Sequence, residues 1–108
     1  MLELEEAVFA ALADPNRRKL LATLAEKSPR TATQLKEEFK ITRQGIMKHL
    51  DLLAQAGLVQ SQTQGREKRY WFTPEPLDNV SAWIQAIGAK WEERLYRLKD
   101  LVENAERK

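Results

Sequence analysis

The chain has 108 residues, no cysteine, one histidine and a net charge of +2, with 18 Lys/Arg against 16 Asp/Glu. That length suits a single domain with one core; the absence of thiols excludes disulfide scaffolds, thiolate metal sites and cysteine nucleophiles, and a lone histidine leaves zinc or copper chemistry short of ligands. A hydrophobic content of 43% argues against disorder, no apolar run approaches the ~20 residues of a membrane span, and the acidic start is no targeting peptide, so the expectation is a cytoplasmic protein that needs no cofactor and no membrane.

Leu4, Val8 and Leu12 recur every four residues among Ala7, Ala10 and Ala11, which predicts a first helix over residues 3–13. Asp14-Pro15 ends it and opens a second, because aspartate is a strong N-cap and proline suits the first helical position. Leu20, Leu21 and Leu24 supply the second helix with an apolar face, and Ser28-Pro29 closes it. Thr31-Ala32-Thr33-Gln34 has the spacing of a capping box and opens a short third helix carrying Leu35 and Phe39, ending near Lys40. Thr42 caps a fourth, with Ile46, Leu50 and Leu53 as its buried stripe and Gly57 at its end. Leu58–Gln64 and Arg69–Phe72 then read as two short strands about a turn at Gly65, a β-hairpin that Pro74 and Pro76 close. From Leu77 the apolar positions Val80, Ile84, Ile87, Trp91, Leu95, Leu98 and Val102 follow a helical repeat. A helix of ~30 residues is ~45 Å long, more than a small domain needs to cover its own core.

The resulting order, α-α-α-α-β-β-α, is mainly α with a small β-hairpin: a winged helix-turn-helix with a long C-terminal helix. The single domain 1–108 then divides into a helix-turn-helix at about 31–57, a wing at about 58–73 and flanking amphipathic helices at about 3–13 and 76–106. Positive charge sits in the middle, with a net of +4 over residues 30–72 against −1 in each flank, a pattern compatible with a nucleic-acid partner; for a helix-turn-helix that partner is double-stranded DNA. A self-complementary apolar stripe on two-fold related copies makes a homodimer; Leu4, Val8, Trp83, Ile87, Trp91, Leu95 and Leu98 are the expected interface. No nucleophile–base pair, phosphate loop or metal-ligand cluster is visible, so no enzyme is expected.

Three motifs carry a family resemblance over nearly the whole chain. Phe9 to Leu21, with Asp14-Pro15-Asn16-Arg17 at its centre, is similar to the opening of the ArsR-type regulators. Ile46-Met47-Lys48-His49-Leu50 through Ala56-Gly57-Leu58-Val59 resembles their recognition segment, and Gly65-Arg66-Glu67-Lys68-Arg69-Tyr70 resembles their wing. The resemblance implies a dimeric winged-helix transcriptional repressor that dimerises through its first and last helices. Pro76-Leu77-Asp78, Trp83, Trp91 and Arg94-Leu95 resemble a branch with a long tryptophan-bearing last helix, whose members are often not metal sensors. In keeping with that branch, the positions of the family's metal box hold Ala32, Thr33, Gln34, Leu35 and Lys36, and residues 76–108 contain no histidine. The chain departs from the family at Met47, where serine is usual, at Asn16, where threonine is usual, and at Gln60-Ser61-Gln62-Thr63-Gln64, where arginines or lysines are usual.

In helix-turn-helix docking the first turns of the recognition helix reach base edges. Starting from Thr42, Arg43 is placed to fork onto guanine and Gln44 to pair with adenine. Lys48 is assigned to phosphate, and Arg66 at the hairpin tip to the minor groove; the resemblance implies a phosphate contact for His49 too, the alternative being a ring packed beside Leu50 and hydrogen-bonded to backbone. Lys68 and Arg69 alternate along the strand, Lys68 sharing a face with Tyr70 and Phe72, which pack inward. Met47 either touches a thymine methyl or fills a gap at the helix rim; Gly45 serves either helix packing or close approach to DNA. Arg17 and Arg18 stand at a helix N-terminus, where positive charge is unfavourable. They are expected to pair with an acid such as Glu5 or Glu6, with phosphate as the alternative. The competing function is a winged-helix protein-interaction module that has lost sequence-specific DNA binding; Met47 and the glutamine-rich strand lean towards it, Arg43, Lys48 and Arg66 against it. The residues leave open control by an unidentified effector, by a protein partner or by abundance alone.

Overall fold

The computed structural model describes residues 2–106, with side chains from Glu5 to Ala105. Helices α1 (Leu2–Leu12) and α2 (Pro15–Glu26) are separated by a turn that Asp14 enforces. Asp14 is extended, and its carboxylate accepts from the amides of Asn16 and Arg17 at 2.8 and 3.2 Å, while Pro15 occupies the first turn of α2. Arg17 and Arg18 then reach back to the end of α1. Arg17 donates from Nε to the Ala11 carbonyl at 2.6 Å and from Nη2 to that of Ala10 at 3.2 Å; Arg18 Nη1 donates to Leu12 at 2.7 Å. The expected pairing with Glu5 or Glu6 is therefore corrected. These guanidinium groups sit at the negative end of the α1 dipole, on carbonyls that run out of intrahelical donors.

Next come β1 (Arg30–Thr31) and α3 (Ala32–Lys36). The Thr31 hydroxyl accepts from the Gln34 amide, and Gln34 Oε1 accepts from the Thr31 amide, completing the capping box. The third helix ends four residues before the expected Lys40. The amides of Glu38 and Phe39 turn back to the carbonyls of Leu35 and Lys36, which tightens the chain so that Thr42 can open the next helix. Phe39 is half-buried there, with the Lys19 ammonium 5.0 Å from its ring centroid. Helix α4 (Arg43–Gln55) buries Ile46, Leu50 and Leu53 completely. It stops in a Schellman motif: Gly57 has φ 76°, its amide bonds Ala54, and the Leu58 amide bonds Leu53.

Strands β2 (Val59–Gln64) and β3 (Glu67–Phe72) pair antiparallel from Val59↔Phe72 to Gln64↔Glu67, turning at Gly65, φ 63°. β1 adds to the other edge of β3, with Arg30 opposite Tyr70, so the sheet has three strands in the order β1-β3-β2 where two were expected. The core joins Val8 of α1, Leu20, Leu21 and Leu24 of α2, Leu35 of α3, the α4 stripe, and Leu58, Val59 and Tyr70 of the wing. Full burial of each large aliphatic side chain contributes roughly 1.5–3 kcal/mol, and those contacts hold α4 and the hairpin against the same scaffold. The chain divides into two units, one ending at Asp78 and one beginning at Asn79. The second is the greater part of α5 (Glu75–Glu106), 32 residues long. Among the described residues no helix is long and apolar enough to cross a membrane.

Candidate nucleic-acid interface

An open groove of ≈ 560 Å³ runs between the helix-turn-helix and the wing. Thr33 and Gln34 of α3, Arg43 and Met47 of α4, and Arg66 and Lys68 of the wing line it, with Tyr70 and Glu67 alongside. Thr42 sets the start of α4: its hydroxyl accepts from the Gly45 amide at 3.0 Å. Arg43 is thereby the first residue of the helix and is exposed. Its charge lies against the positive end of the helix dipole, an arrangement that an external anion relieves. Gln44 and Lys48 are exposed on the same helix but do not line the groove; Met47 does, at 36% exposure. Gly45 has a local explanation. A Cβ there would lie 3.2 Å from Thr42 Oγ1, so glycine leaves room for the cap itself.

The hairpin register separates two faces. Opposed residues of an antiparallel pair point the same way, so Ser61 and Thr63 share a face with Tyr70 and Lys68. Lys68 Nζ stands 5.6 Å from the Tyr70 ring centroid. Arg69 lies on the other face and is held by Glu67 at 3.2 Å, an exposed ion pair of small energy. Arg66, at the tip, is exposed. The sequence by itself assigns no DNA role to Thr33, Gln34, Ser61 or Thr63; the first turn of α3 brings Thr33 and Gln34 to the groove with Arg43, and the register of β2 against β3 sets Ser61 opposite Tyr70 and Thr63 opposite Lys68. The strand motif alternation was the one available signal for Ser61 and Thr63.

His49 is half-buried and faces α2, with Nδ1 3.4 Å from Arg17 Nη1. Asp14 lies in the same cluster. Desolvation pushes its carboxyl up, but the Arg17 and Asn16 amides, with positive charge on His49 when that ring is protonated and on Arg17, hold it below the ordinary carboxylate range. Of the residues expected between two copies, Leu4 lies outside the described side chains. Val8 is 1% exposed and belongs to the core of its own unit, whereas Phe9 beside it is exposed. Trp83, Ile87, Trp91, Leu95 and Leu98 all remain exposed on α5, Trp91 at 59%.

A capped recognition helix, a second helix packed behind it and a basic hairpin flanking its N-terminus define a winged helix-turn-helix DNA-binding protein. Comparison with known proteins agrees. The helix-turn-helix domain family model matches residues 12–62. The uncharacterized HTH-type transcriptional regulator YuzN of Bacillus subtilis (strain 168) is 40% identical over 75% of this chain and 96% of its own length. The transcriptional repressor SdpR of the same organism is 32% identical over 71% and 84%. The structure of an ArsR-like transcriptional regulator from Rhodococcus sp. RHA1 superposes with a TM-score of 0.79 at 35% identity, covering 93% of each chain. The chain belongs to the ArsR-type winged helix-turn-helix transcriptional regulators.

Proposed function

We propose that the protein is a cytoplasmic, dimeric repressor that reads operator DNA with α4 and grips it with the wing, without control by a soft metal ion. The observation that carries this reading is the shared groove, which sets Arg43 and Met47 of the recognition helix across from Arg66 and Lys68 of the wing. Arg43 and Gln44 read base edges, Met47 meets a thymine methyl, and Thr42, Lys48, His49, Arg66 and Lys68 contact the backbone or the minor groove. Repression is supported by the likeness to SdpR. Dimerisation is supported by α5, whose stripe of Ile87, Trp91, Leu95 and Leu98 is apolar and exposed. Two copies related by a two-fold axis bury it and set two recognition helices for half-sites ~34 Å apart. Metal control lacks donors, since the sequence has no cysteine and one histidine.

The test is a salt titration of binding to a fluorescent fragment of the DNA upstream of the coding region, against random competitor. Specific retention with a steep salt slope, lost on Arg43→Ala, supports the reading. Equal retention of fragment and competitor at every salt concentration removes it and points to protein docking instead.

A further inference from the structure

We propose that Arg17 is a positioning residue for DNA binding: without touching DNA, it holds the His49 ring of α4 in the orientation and tautomer that offer an N–H to a backbone phosphate. The proposal rests on the DNA-binding function above. One guanidinium spans three helices. Nε bonds the Ala11 carbonyl at 2.6 Å, Nη2 bonds Ala10 at 3.2 Å, and Nη1 lies 3.4 Å from His49 Nδ1. The guanidinium is a rigid planar fork, so two prongs seated on α1 fix the direction of the third. It can only donate, which makes Nδ1 the acceptor and puts the ring proton on Nε2. The Nε2–H is then the free donor of a half-buried ring on the recognition helix, one residue after Lys48.

Three of the five guanidinium N–H groups are thus committed inside the protein. Arg17 differs in this from Arg43 and Arg66, which are exposed at the groove. Its action on DNA passes through His49. The tie also joins the end of α1 to the recognition helix, so the set of the His49 ring depends on the seat of α1.

The experiment uses the full chain and two readouts. Nitrogen-15 NMR of the free protein locates the His49 ring proton; salt titrations measure affinity for the upstream fragment. Expected are an Nε2–H tautomer in the wild type that is lost in both Arg17→Gln and Arg17→Lys, and affinity about 10-fold weaker in each folded variant with an unchanged salt slope. In a His49→Phe background, itself weakened to a similar degree, Arg17→Gln adds no further loss, as for two members of one network. An Nδ1–H tautomer in the wild type overturns the proposal. So does wild-type affinity in Arg17→Lys, a salt slope reduced by about 1 in Arg17→Gln, which marks a direct phosphate contact, or full additivity in the double variant. Arg17→Gln also removes bonds to α1, so its folded fraction is measured by circular dichroism. If it fails to fold, Arg17→Lys and the wild-type tautomer decide: an Nε2–H ring in the wild type with weakened affinity in Arg17→Lys supports the proposal, and an Nδ1–H ring, or wild-type affinity in His49→Phe, overturns it. If wild-type protein shows no preference for the fragment, the DNA function fails, and the tautomer still reports separately on the Arg17–His49 tie.

Discussion

Arg17 Nη1 and His49 Nδ1 lie 3.4 Å apart although 32 residues separate them in the chain. Arg17 and its neighbour Arg18 stand at the start of a helix, where charge and dipole oppose each other, and their bonds to the preceding helix account for them. Their guanidinium groups have left their own helix for the end of the preceding one, on the carbonyls of Ala10, Ala11 and Leu12. The Asp14-Pro15-Asn16-Arg17-Arg18 segment therefore acts as one joint: aspartate caps α2, proline starts it, and the arginines finish α1.

Asp14 gives that joint an acid limit. Its carboxyl titrates below the ordinary range in the folded chain. The carboxylate's contribution to stability is therefore complete above the unfolded value of ~4 and is lost as pH falls through the lower folded value. Asp14→Asn keeps an acceptor for the two amides but removes the titration. Urea midpoints at pH 7 and about pH 3 will show a smaller acid-side fall for the variant than for the wild type, other carboxylates contributing equally to both.

Gly45 is predicted to be coupled to Thr42. Alanine inside a helix gains up to ~1 kcal/mol over glycine, but the added Cβ would meet Thr42 Oγ1 at 3.2 Å and press on the cap. Gly45→Ala alone is expected to leave the melting temperature unchanged or lower it. In a Thr42→Ala background, where the hydroxyl is gone, the same substitution is expected to raise it. Thermal melts of the four proteins in this cycle measure the coupling.

Arg43 and Arg66 are predicted to fail differently. Arg43→Ala should cost ~1–3 kcal/mol for the specific fragment and little for random DNA. Arg66→Ala should weaken both and lower the salt slope by about 1. Fluorescence anisotropy at three salt concentrations separates the two patterns; identical behaviour would mean that α4 does not read bases.

Trp91 lies in the middle of the exposed α5 stripe. Trp91→Glu is expected to convert a dimer to a monomer in sedimentation velocity while the winged unit stays folded. Loss of the second half-site contact removes bivalency, so specific affinity should drop ~100-fold or more. A variant that remains dimeric would place the interface elsewhere.

Much of the fold was legible because its signals are local. The capping box of Thr31 and Gln34, the Asp14-Pro15 start, the Gly57 stop and the Gly65 turn each act within a few residues, through dihedral preferences and short-range hydrogen bonds that a sequence displays directly. So did the recognition helix, whose stripe of Ile46, Leu50 and Leu53 has a helical period. The two-residue strand β1 was not legible, because so short a segment carries no period and exists only by pairing with β3. The early end of α3 was also hidden, being set by where Thr42 must begin the next helix. Helical spacing put Val8 on an apolar face without saying what that face meets, and packing placed it in its own core while leaving Phe9 exposed.

The sequence alone determined the order of elements, the ends of most helices, the family and which cations lie near the recognition helix. Tertiary structure alone decided which of those cations are available. Lys68 faces the groove while Arg69 is held by Glu67, and Arg43 is exposed while Arg17 is spent on α1 and His49. The physical reason is that the deciding partners are backbone carbonyls and strand register. Every residue has a carbonyl, so the seat of Arg17 leaves no mark in side-chain identity; alternation along β3 separates Lys68 from Arg69, but which face meets the groove is set only when the strands pair and pack.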